Sequence, residues 1–279
     1  MWRKPSAALL GLGVVFAIYA ALYARCVGHG YVWDDVGTIA ASDFFDRPLL
    51  QALRATEHER MDEALTAMRG VSFGHESYRP VNVATHWFDV HAFGRRPGPM
   101  HVHSLLWGAL GVLLAFVLAT QVLGDQRWAL LVAAIVAIHP LHVEPFVYIS
   151  ARADLVSGAL ALLAAIAFMH ATVVDGLRAR VLCWAAAALA TLLALFAKES
   201  AMALPVALFG FALAKGRTRA GVVGFLVLMA TVLVHFPLRA LLVPAAPLAH
   251  ATGFAATIAR LPGIVIQYVE VMFVPLAIS

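Results

Sequence analysis

The chain is poor in charged residues. Only 13% of its 279 residues are charged, while 62% are hydrophobic, whereas charged residues make up about 25% of a typical soluble domain. This composition excludes an ordinary soluble domain. The chain also has no basic stripe interleaved with aromatic residues, so its net charge of +4 does not indicate nucleic-acid binding.

Cysteines are also scarce. Cys26 and Cys183 fall near opposite faces of the membrane in two different predicted helices, so they are too far apart to pair. A disulfide framework is therefore excluded. Internal repeats, low-complexity tracts and tetratricopeptide-like helical repeats are not evident either, and we expect a single domain over residues 1–279.

Long apolar windows, in contrast, are abundant. A membrane-spanning helix needs about 20 apolar residues. Seven windows approach this length: residues 6–27, 102–123, 128–149, 155–174, 181–197, 201–214 and 220–237. An eighth, 258–279, is interrupted by polar residues and leaves spanning, re-entrant and interfacial arrangements open. We expect an all-α polytopic membrane protein with seven clear transmembrane helices, the first of them retained rather than cleaved as a signal peptide.

The basic residues predict the orientation. With a cytoplasmic N-terminus, the cytoplasmic connections contain Arg3, Lys4, Arg127, Arg178, Arg180, Lys215, Arg217 and Arg219, as the positive-inside rule requires. Segment 28–100 then forms a long first extracytoplasmic loop, and residues 50–68 within it have the pattern of an amphipathic helix on the membrane surface. The excess of Arg over Lys and of Ala, Val and Leu is typical of a GC-rich bacterial genome, so we expect the bacterial inner (cell) membrane.

The third window contains a polar interruption. Its purely apolar part, 128–138, has about half the length that a span requires, and HPLHVEP follows at 139–145. Such breaks at membrane depth are tolerated only where they face protein or a water-filled cavity. We therefore expect a broken helix here. Lys198 and Glu199 form a second polar insertion on the same side.

Most of the unusual polar side chains fall on the predicted outer side. They are Asp34, Asp35, Tyr78, Arg79, His139, His142, Glu144, Arg152, Asp154, Lys198, Glu199 and Arg239. Carboxylates can act as general bases toward a hydroxyl, whereas Arg, Lys and His can neutralise a phosphate leaving group. A substrate with a phosphate on a lipid could use both the acidic and the basic side chains. These residues therefore predict a site on the outer face.

A tightly held metal is not expected. HPLHVE is interrupted by proline and lacks the HExxH arrangement on one helix face. A weakly bound Mg²⁺ or Mn²⁺ at Asp34 and Asp35 stays open, because hard cations take carboxylate oxygens together with substrate phosphate. The alternative for the two aspartates is a hydrated helix end, and for Glu199 it is neutralisation of a neighbouring Lys or Arg.

Four motifs resemble those of a known family. WDD at 33–35, SYRPV at 77–81, HPLHVEPFVYISARADL at 139–155 and AKES at 197–200 occur in the order seen in the TMTC family, transmembrane O-mannosyltransferases with C-terminal tetratricopeptide repeats, and in their bacterial relatives. These belong to the GT-C class. The resemblance implies a GT-C-like bundle that transfers a mannose-like hexose from a polyprenyl-phosphate donor to a protein Ser/Thr or glycan hydroxyl on the extracytoplasmic face, with inversion.

The resemblance also implies roles for individual residues. Asp34 corresponds to the catalytic base after the first helix, and Asp35 to its acidic companion. Arg79, Arg152 and Lys198 occupy motif positions that we expect to face the donor phosphate. Supporting roles fall to Tyr78, His139, His142, Glu144, Asp154 and Glu199.

The chain departs from the family pattern at two points. Ser104 and Gly108 stand where the typical pattern has Asn and His. The chain stops at Ser279, where relatives continue into further helices and repeats, so we expect a C-terminally truncated protein. Two alternatives stay open: an inactive fragment, and a transporter or lipid-handling protein, which would have paired polar insertions near the membrane midplane and a repeated hydropathy pattern.

Overall fold

The computed structural model describes residues 5–55 and 78–242, together with 262, 263 and 266. Its α-helices are α1 (Pro5–Tyr23), α2 (Leu49–Arg54), α3 (Pro80–Phe93), α4 (Pro97–Leu123), α5 (Gln126–Ile138), α6 (Val143–Val147), α7 (Arg152–Ala171), α8 (Leu177–Ala197), α9 (Leu204–Ala214) and α10 (Thr218–Leu242). Shorter 3₁₀-helices or π-helices are Ala24–Gly28, Val36–Ala40, Asp43–Asp46, Pro140–His142, Ile149–Ala151 and Glu199–Ala203. The expected all-α architecture is confirmed for the described residues.

Five segments of the described chain are long and apolar enough to cross a membrane. They are Ala7–Gly28, Pro97–Leu123, Ile149–Ala171, Leu177–Ala197 and Thr218–Leu242. A sixth span results if α5 and Pro140–Val147 are taken together, although they are bent by 54°. The polytopic helical arrangement is thus confirmed.

The expected number of seven clear spans is not confirmed. The window 201–214 lies within Glu199–Ala214, a shorter apolar helix, and a span perpendicular to the membrane needs about 20 residues. The eighth window, 258–279, lies almost entirely outside the described residues.

The break in the third span has a local cause. Pro140 has no amide hydrogen and disfavours a helical backbone at the residue before it, and His139 is accordingly extended, with φ −65° and ψ 131°. The His139 Nδ1 accepts a hydrogen bond from the N–H of Leu141 at 3.2 Å. The His142 Nδ1 donates to the Val136 carbonyl at 2.8 Å. The expected broken helix is confirmed, and the hydrogen bonds of His139 and His142 stabilise the chain at the break.

Small residues allow the helices to approach closely. Ala129, Ala133 and Ala137 recur every four residues along α5 and are fully buried. On α10, a Cβ added to Gly224 would collide with the rings of Phe168 and Trp184. In a lipid environment, close packing of small residues drives helix association, because burial of apolar surface contributes little there.

Successive helices run in opposite directions, so the segments that connect them lie at two ends of the bundle. The two ends differ in the residues they contain. The end formed by segments 24–55, 78–97, 139–152 and 198–204 is called the polar end. It has its own apolar core, which includes Ile39, Phe44, Phe45, Val83, Met100 and Ile149. At the opposite, basic end, Lys215 donates to the Val122 carbonyl at 3.0 Å and Arg217 to the Thr172 hydroxyl at 2.9 Å. Most of the polar residues predicted on the outer side fall within the segments of the polar end.

The predicted surface helix over 50–68 is described only in its first residues. They belong to α2, which ends at Arg54 and packs against α3. The remainder of that prediction falls within residues 56–77, which lie outside the described part of the chain.

Cysteines placed at the two ends should be labelled from opposite sides of the membrane. The basic residues at one end predict that this end is cytoplasmic. In a variant without Cys26 and Cys183, an impermeant maleimide added to intact cells should label Lys198→Cys, and should label Lys215→Cys only after the membrane is permeabilised. Labelling of Lys215→Cys alone in intact cells would show that the orientation is reversed.

Candidate active site at the polar end

The two adjacent aspartates lie in a tight turn that follows α1. The N–H of Asp35 donates to the Val32 carbonyl at 3.0 Å, so Trp33 and Asp34 form the tip of the turn. Trp33 has a φ of +46°, a left-handed conformation that is strained for a bulky side chain. The turn leads into a π-helix, an element frequent at functional sites.

Asp35 is fully buried and ties this turn to the start of α7. Its Oδ1 accepts hydrogen bonds from the backbone N–H and the hydroxyl of Ser150, at 2.8 and 2.6 Å. Its Oδ2 accepts from the N–H of Val32 at 3.4 Å. Burial raises the pKa of Asp35, and the hydrogen bonds from Ser150 oppose that rise. Both carboxylate oxygens therefore already have partners within the protein.

Asp34 is exposed and its backbone is fixed by Tyr148. The N–H of Asp34 donates to the Tyr148 hydroxyl at 3.2 Å. Burial and the nearby charges of Asp34 and Asp35 raise the pKa of Tyr148 to about 12, so its hydroxyl is protonated at neutral pH. The Asp34 side chain is thus exposed, on a backbone position that Tyr148 fixes.

Two of the predicted cations pair with two of the predicted acids. The Lys198 Nζ lies 2.5 Å from the Asp154 Oδ1. Arg79 donates from Nε and Nη2 to the Glu199 Oε2, at 3.0 and 2.8 Å. All four side chains are partly exposed. The structure therefore contains the neutralising pairs that the sequence left as an alternative, and they link the α8–α9 junction to α7 and α3.

Arg152, in contrast, is fully buried at the beginning of α7. Its Nη1 donates to the Asp89 Oδ2 at 2.5 Å, its Nε to the Ser104 hydroxyl at 2.9 Å and its Nη2 to the Met100 carbonyl at 2.7 Å. A phosphate could reach this guanidinium only by displacing these groups. Arg152 therefore joins α3, α4 and α7, and its contact with a donor phosphate stays a prediction.

Asp89 is the main residue of this end that the sequence did not reveal. Its Oδ1 lies 2.6 Å from the His103 Nδ1. The indole of Trp107 donates to the His103 Nε2 at 3.1 Å, so the ring proton is assigned to Nδ1, which donates to Asp89. A signal was present: Asn82, His86 and Asp89 recur at helical spacing, and all three are buried.

The remaining predicted residues lie nearby with contacts of their own. The buried Tyr78 donates from its hydroxyl to the Leu53 carbonyl at 2.8 Å. His139 and His142 hold the helix break described above. Glu144 is exposed on α6. These residues surround the polar end, and their supporting roles in catalysis stay predictions.

A metal site is not evident in the part of the chain that the structure describes. No group of three or more His, Cys, Asp or Glu side chains there could hold a metal ion. Since both oxygens of Asp35 accept hydrogen bonds from protein donors, a weak Mg²⁺ or Mn²⁺ contact would fall mainly to Asp34. That contact stays a prediction.

The two residues of α4 that depart from the expected pattern both lie against neighbouring elements. Ser104 accepts the hydrogen bond from the Arg152 Nε. A Cβ added to Gly108 would lie 2.8 Å from the Phe146 ring and would collide with the Tyr19 hydroxyl. A histidine at position 108 therefore does not fit beside the broken helix.

Comparisons with known proteins give distant, partial matches. The chain is 29% identical over 175 residues, 60% of its length, to "Protein O-mannosyl-transferase Tmtc1" of Drosophila melanogaster. It is 25% identical over 156 residues, 56% of its length, to "Protein O-mannosyl-transferase TMTC3" of Mus musculus. The matches span 20% and 16% of those proteins, about a fifth of their length or less. No family model and no solved structure matches. The chain thus has a distant TMTC-like relationship.

Removal of the buried Asp89 charge should destabilise the fold strongly. Asp89→Ala leaves Arg152 buried without its counter-charge, at a cost of about 3–5 kcal/mol. Asp46→Ala, the matched control, removes the exposed pair with Arg95, which should cost at most about 1 kcal/mol. Thermal unfolding of the detergent-solubilised variants would measure both effects. Equal midpoints for the two variants would contradict the proposed importance of the buried pair.

Proposed function

We propose that this chain carries the catalytic part of a glycosyltransferase that moves a hexose from a polyprenyl-phosphate donor to a hydroxyl acceptor. The observation that carries this proposal is the exposed Asp34 carboxylate, fixed through its backbone at the same end of the bundle as the partly exposed cations Lys198 and Arg79. The two distant relatives support it, because both are named protein O-mannosyl-transferases. A mannose-like sugar and a protein hydroxyl are the substrates we propose.

Asp34 is the proposed general base. Its carboxylate takes the proton of the acceptor hydroxyl while the hydroxyl oxygen forms a bond to the anomeric carbon. The bond from that carbon to the phosphate oxygen breaks, and its electron pair leaves with the lipid phosphate. Attack from the face opposite the leaving group inverts the configuration, as in the inverting glycoside hydrolases.

Lys198 and Arg79 are the proposed partners of the leaving phosphate. The phosphate gains negative charge in the transition state, so fixed cations lower the barrier more than they strengthen ground-state binding. In the described structure, Asp154 and Glu199 neutralise these cations. Exchange of a carboxylate for a phosphate oxygen keeps each cation paired, which avoids the cost of an isolated charge near the membrane.

Two buried groups complete the proposed site by fixing the backbone around Asp34. Asp35 holds the turn that carries Asp34, through its hydrogen bonds with Ser150. Arg152 fixes the beginning of α7, two residues after Ser150, through Asp89. These residues position the base and do not take part in bond formation.

The proposed setting is the extracytoplasmic face of a bacterial cell membrane. The polyprenyl tail lies in the bilayer against the apolar spans, and the phosphate reaches the polar end. A transporter would have its polar groups near the membrane midplane. The ion pairs of Lys198 and Arg79 are instead placed where α8 ends and α3 begins, which favours a surface reaction.

Asp34→Asn should abolish hexose transfer and leave donor binding nearly unchanged. The amide keeps the shape of the side chain but cannot accept the proton at neutral pH. Membranes are incubated with radiolabelled polyprenyl-phosphate mannose, and label in the acceptor fraction is counted. Asp43→Asn, which changes another exposed carboxylate of the same loop, is the control and should retain activity. Transfer by Asp34→Asn within a few-fold of wild type would exclude Asp34 as the base.

Lys198→Ala should lower the rate of transfer by about tenfold to a thousandfold, the range expected for loss of a preorganised charge. Lys215→Ala, at the basic end, should have little effect. Because Lys198 also pairs with Asp154, the midpoint of thermal unfolding is measured for both variants. A well-folded Lys198→Ala protein with the wild-type rate would place the donor phosphate elsewhere.

A further inference from the structure

We propose that Trp33 and Tyr148 form an aromatic platform that holds the hexose ring of the donor beside Asp34. This inference rests on the proposed function and names the part of the site that recognises the sugar. Trp33 is a sugar-binding residue in this proposal, since it contacts the hexose without exchanging a proton or forming a bond.

The backbone of Trp33 is the first observation. Among the described residues, Trp33 is the only non-glycine residue with a positive φ. It occupies the first central position of the turn closed by the hydrogen bond from Asp35 to Val32, a position where turns with positive φ strongly favour glycine. Such a conformation costs on the order of 1–3 kcal/mol for a large residue and is often found at ligand-binding sites.

The exposure of the Trp33 side chain is the second observation. The residue is 82% exposed, so burial of its indole does not offset the backbone strain. The hydrogen bonds that fix the turn involve the side chain of Asp35 and the backbone N–H of Asp34, and the indole makes an edge-to-face contact with the Tyr148 ring. The hydrogen bonds of the turn therefore do not require tryptophan, and the exposed ring is available to a ligand.

The neighbours of Trp33 indicate a sugar. The centre of the Tyr148 ring lies 6.1 Å from that of the indole at an interplanar angle of 77°, and Trp33 stays exposed beside it. An aromatic face carries partial negative charge, and the C–H groups on one side of a pyranose carry partial positive charge. Two groups beside the indole can form hydrogen bonds with the sugar hydroxyls. They are the Asp34 carboxylate and the Tyr148 hydroxyl, which accepts a hydrogen bond from the Asp34 N–H.

The same arrangement would favour the transition state. Glycosyl transfer develops positive charge at the anomeric carbon, and an aromatic face attracts a cation within about 6 Å of its centre. A hexose held on the indole beside Asp34 places that carbon near both the π-system and the base. The platform then contributes to the rate as well as to sugar recognition.

A membrane anchor is the competing explanation for an exposed tryptophan, because Trp is enriched where the bilayer meets water. Trp128 provides the comparison. It lies in the first turn of α5, at the basic end, and is 60% exposed, but it is not among the residues with positive φ. Trp33 differs from Trp128 in its backbone strain and in its place within the turn that carries Asp34.

The test compares two lipids that differ only in the sugar. Binding of polyprenyl-phosphate mannose and of polyprenyl phosphate is measured on the whole protein in nanodiscs. Trp33→Ala should weaken binding of the sugar-bearing lipid by about 2- to 12-fold, the range of a single aromatic contact, and leave binding of polyprenyl phosphate unchanged. Trp33→Phe should recover part of the loss, and Trp128→Ala should alter neither affinity.

A glycine variant separates the ring from the backbone. Trp33→Gly removes the indole and also relieves the strain at positive φ. It should therefore unfold at a higher temperature than Trp33→Ala, yet bind the sugar-bearing lipid as weakly. Normal sugar binding by Trp33→Gly would show that the backbone, and not the ring, had caused the loss in Trp33→Ala, and would overturn the proposal.

The remaining outcomes distinguish this inference from the proposed function. Equal weakening of both lipids by Trp33→Ala would indicate a membrane contact and overturn the platform. Unchanged donor binding with a raised KM for the acceptor would assign the ring to the acceptor and overturn the donor assignment.

Transfer that depends on Asp34 in a protein insensitive to Trp33→Ala would leave the proposed function intact and refute this inference alone. Wild-type protein that binds both lipids equally would refute the platform, and binding of neither lipid would refute both proposals.

Discussion

The polar end depends on one fully buried arginine. A guanidinium removed from water costs several kcal/mol unless a counter-charge and hydrogen-bond acceptors surround it. Asp89, Ser104 and the Met100 carbonyl meet that requirement for Arg152, so α3, α4 and α7 have one favourable arrangement. Ser150 lies two residues before Arg152 and binds Asp35. The position of the exposed aspartate is thus set by a charge pair in the interior, through a short chain of direct contacts.

Neighbouring residues of the same chemistry have opposite roles in this arrangement. Asp35 is buried and tied to Ser150, whereas Asp34, one residue earlier, is exposed. Arg152 is buried, whereas Lys198 is partly exposed and paired with Asp154. The buried member of each pair fixes the backbone, and the other member is accessible at the surface. The polar end therefore combines a buried ion pair, Arg152–Asp89, with an ion pair at the surface, Lys198–Asp154.

Much of this organisation was predictable from local sequence. Pro140 determines the break in the third span, because its ring acts on the residue directly before it, and apolar windows revealed the long spans. The sequence could not show which of two adjacent acids is buried, since that depends on Ser150, far away in the chain. It also could not show that Asp89, on the buried face of α3, pairs with Arg152. The seven spans predicted from window length are not confirmed, since 201–214 lies in a shorter apolar helix.

The central claim is that a lipid-phosphate sugar binds at the polar end of this bundle. The most direct test is photo-crosslinking with polyprenyl-phosphate mannose that carries a photoreactive group on the sugar, followed by mass-spectrometric mapping of the modified peptides. Adducts are expected in segments 33–35 and 148–154, which the contacts of Asp35 and Asp34 bring together, and unlabelled donor should compete with their formation. Adducts confined to the basic end, around residues 126–127 and 215–219, would contradict it.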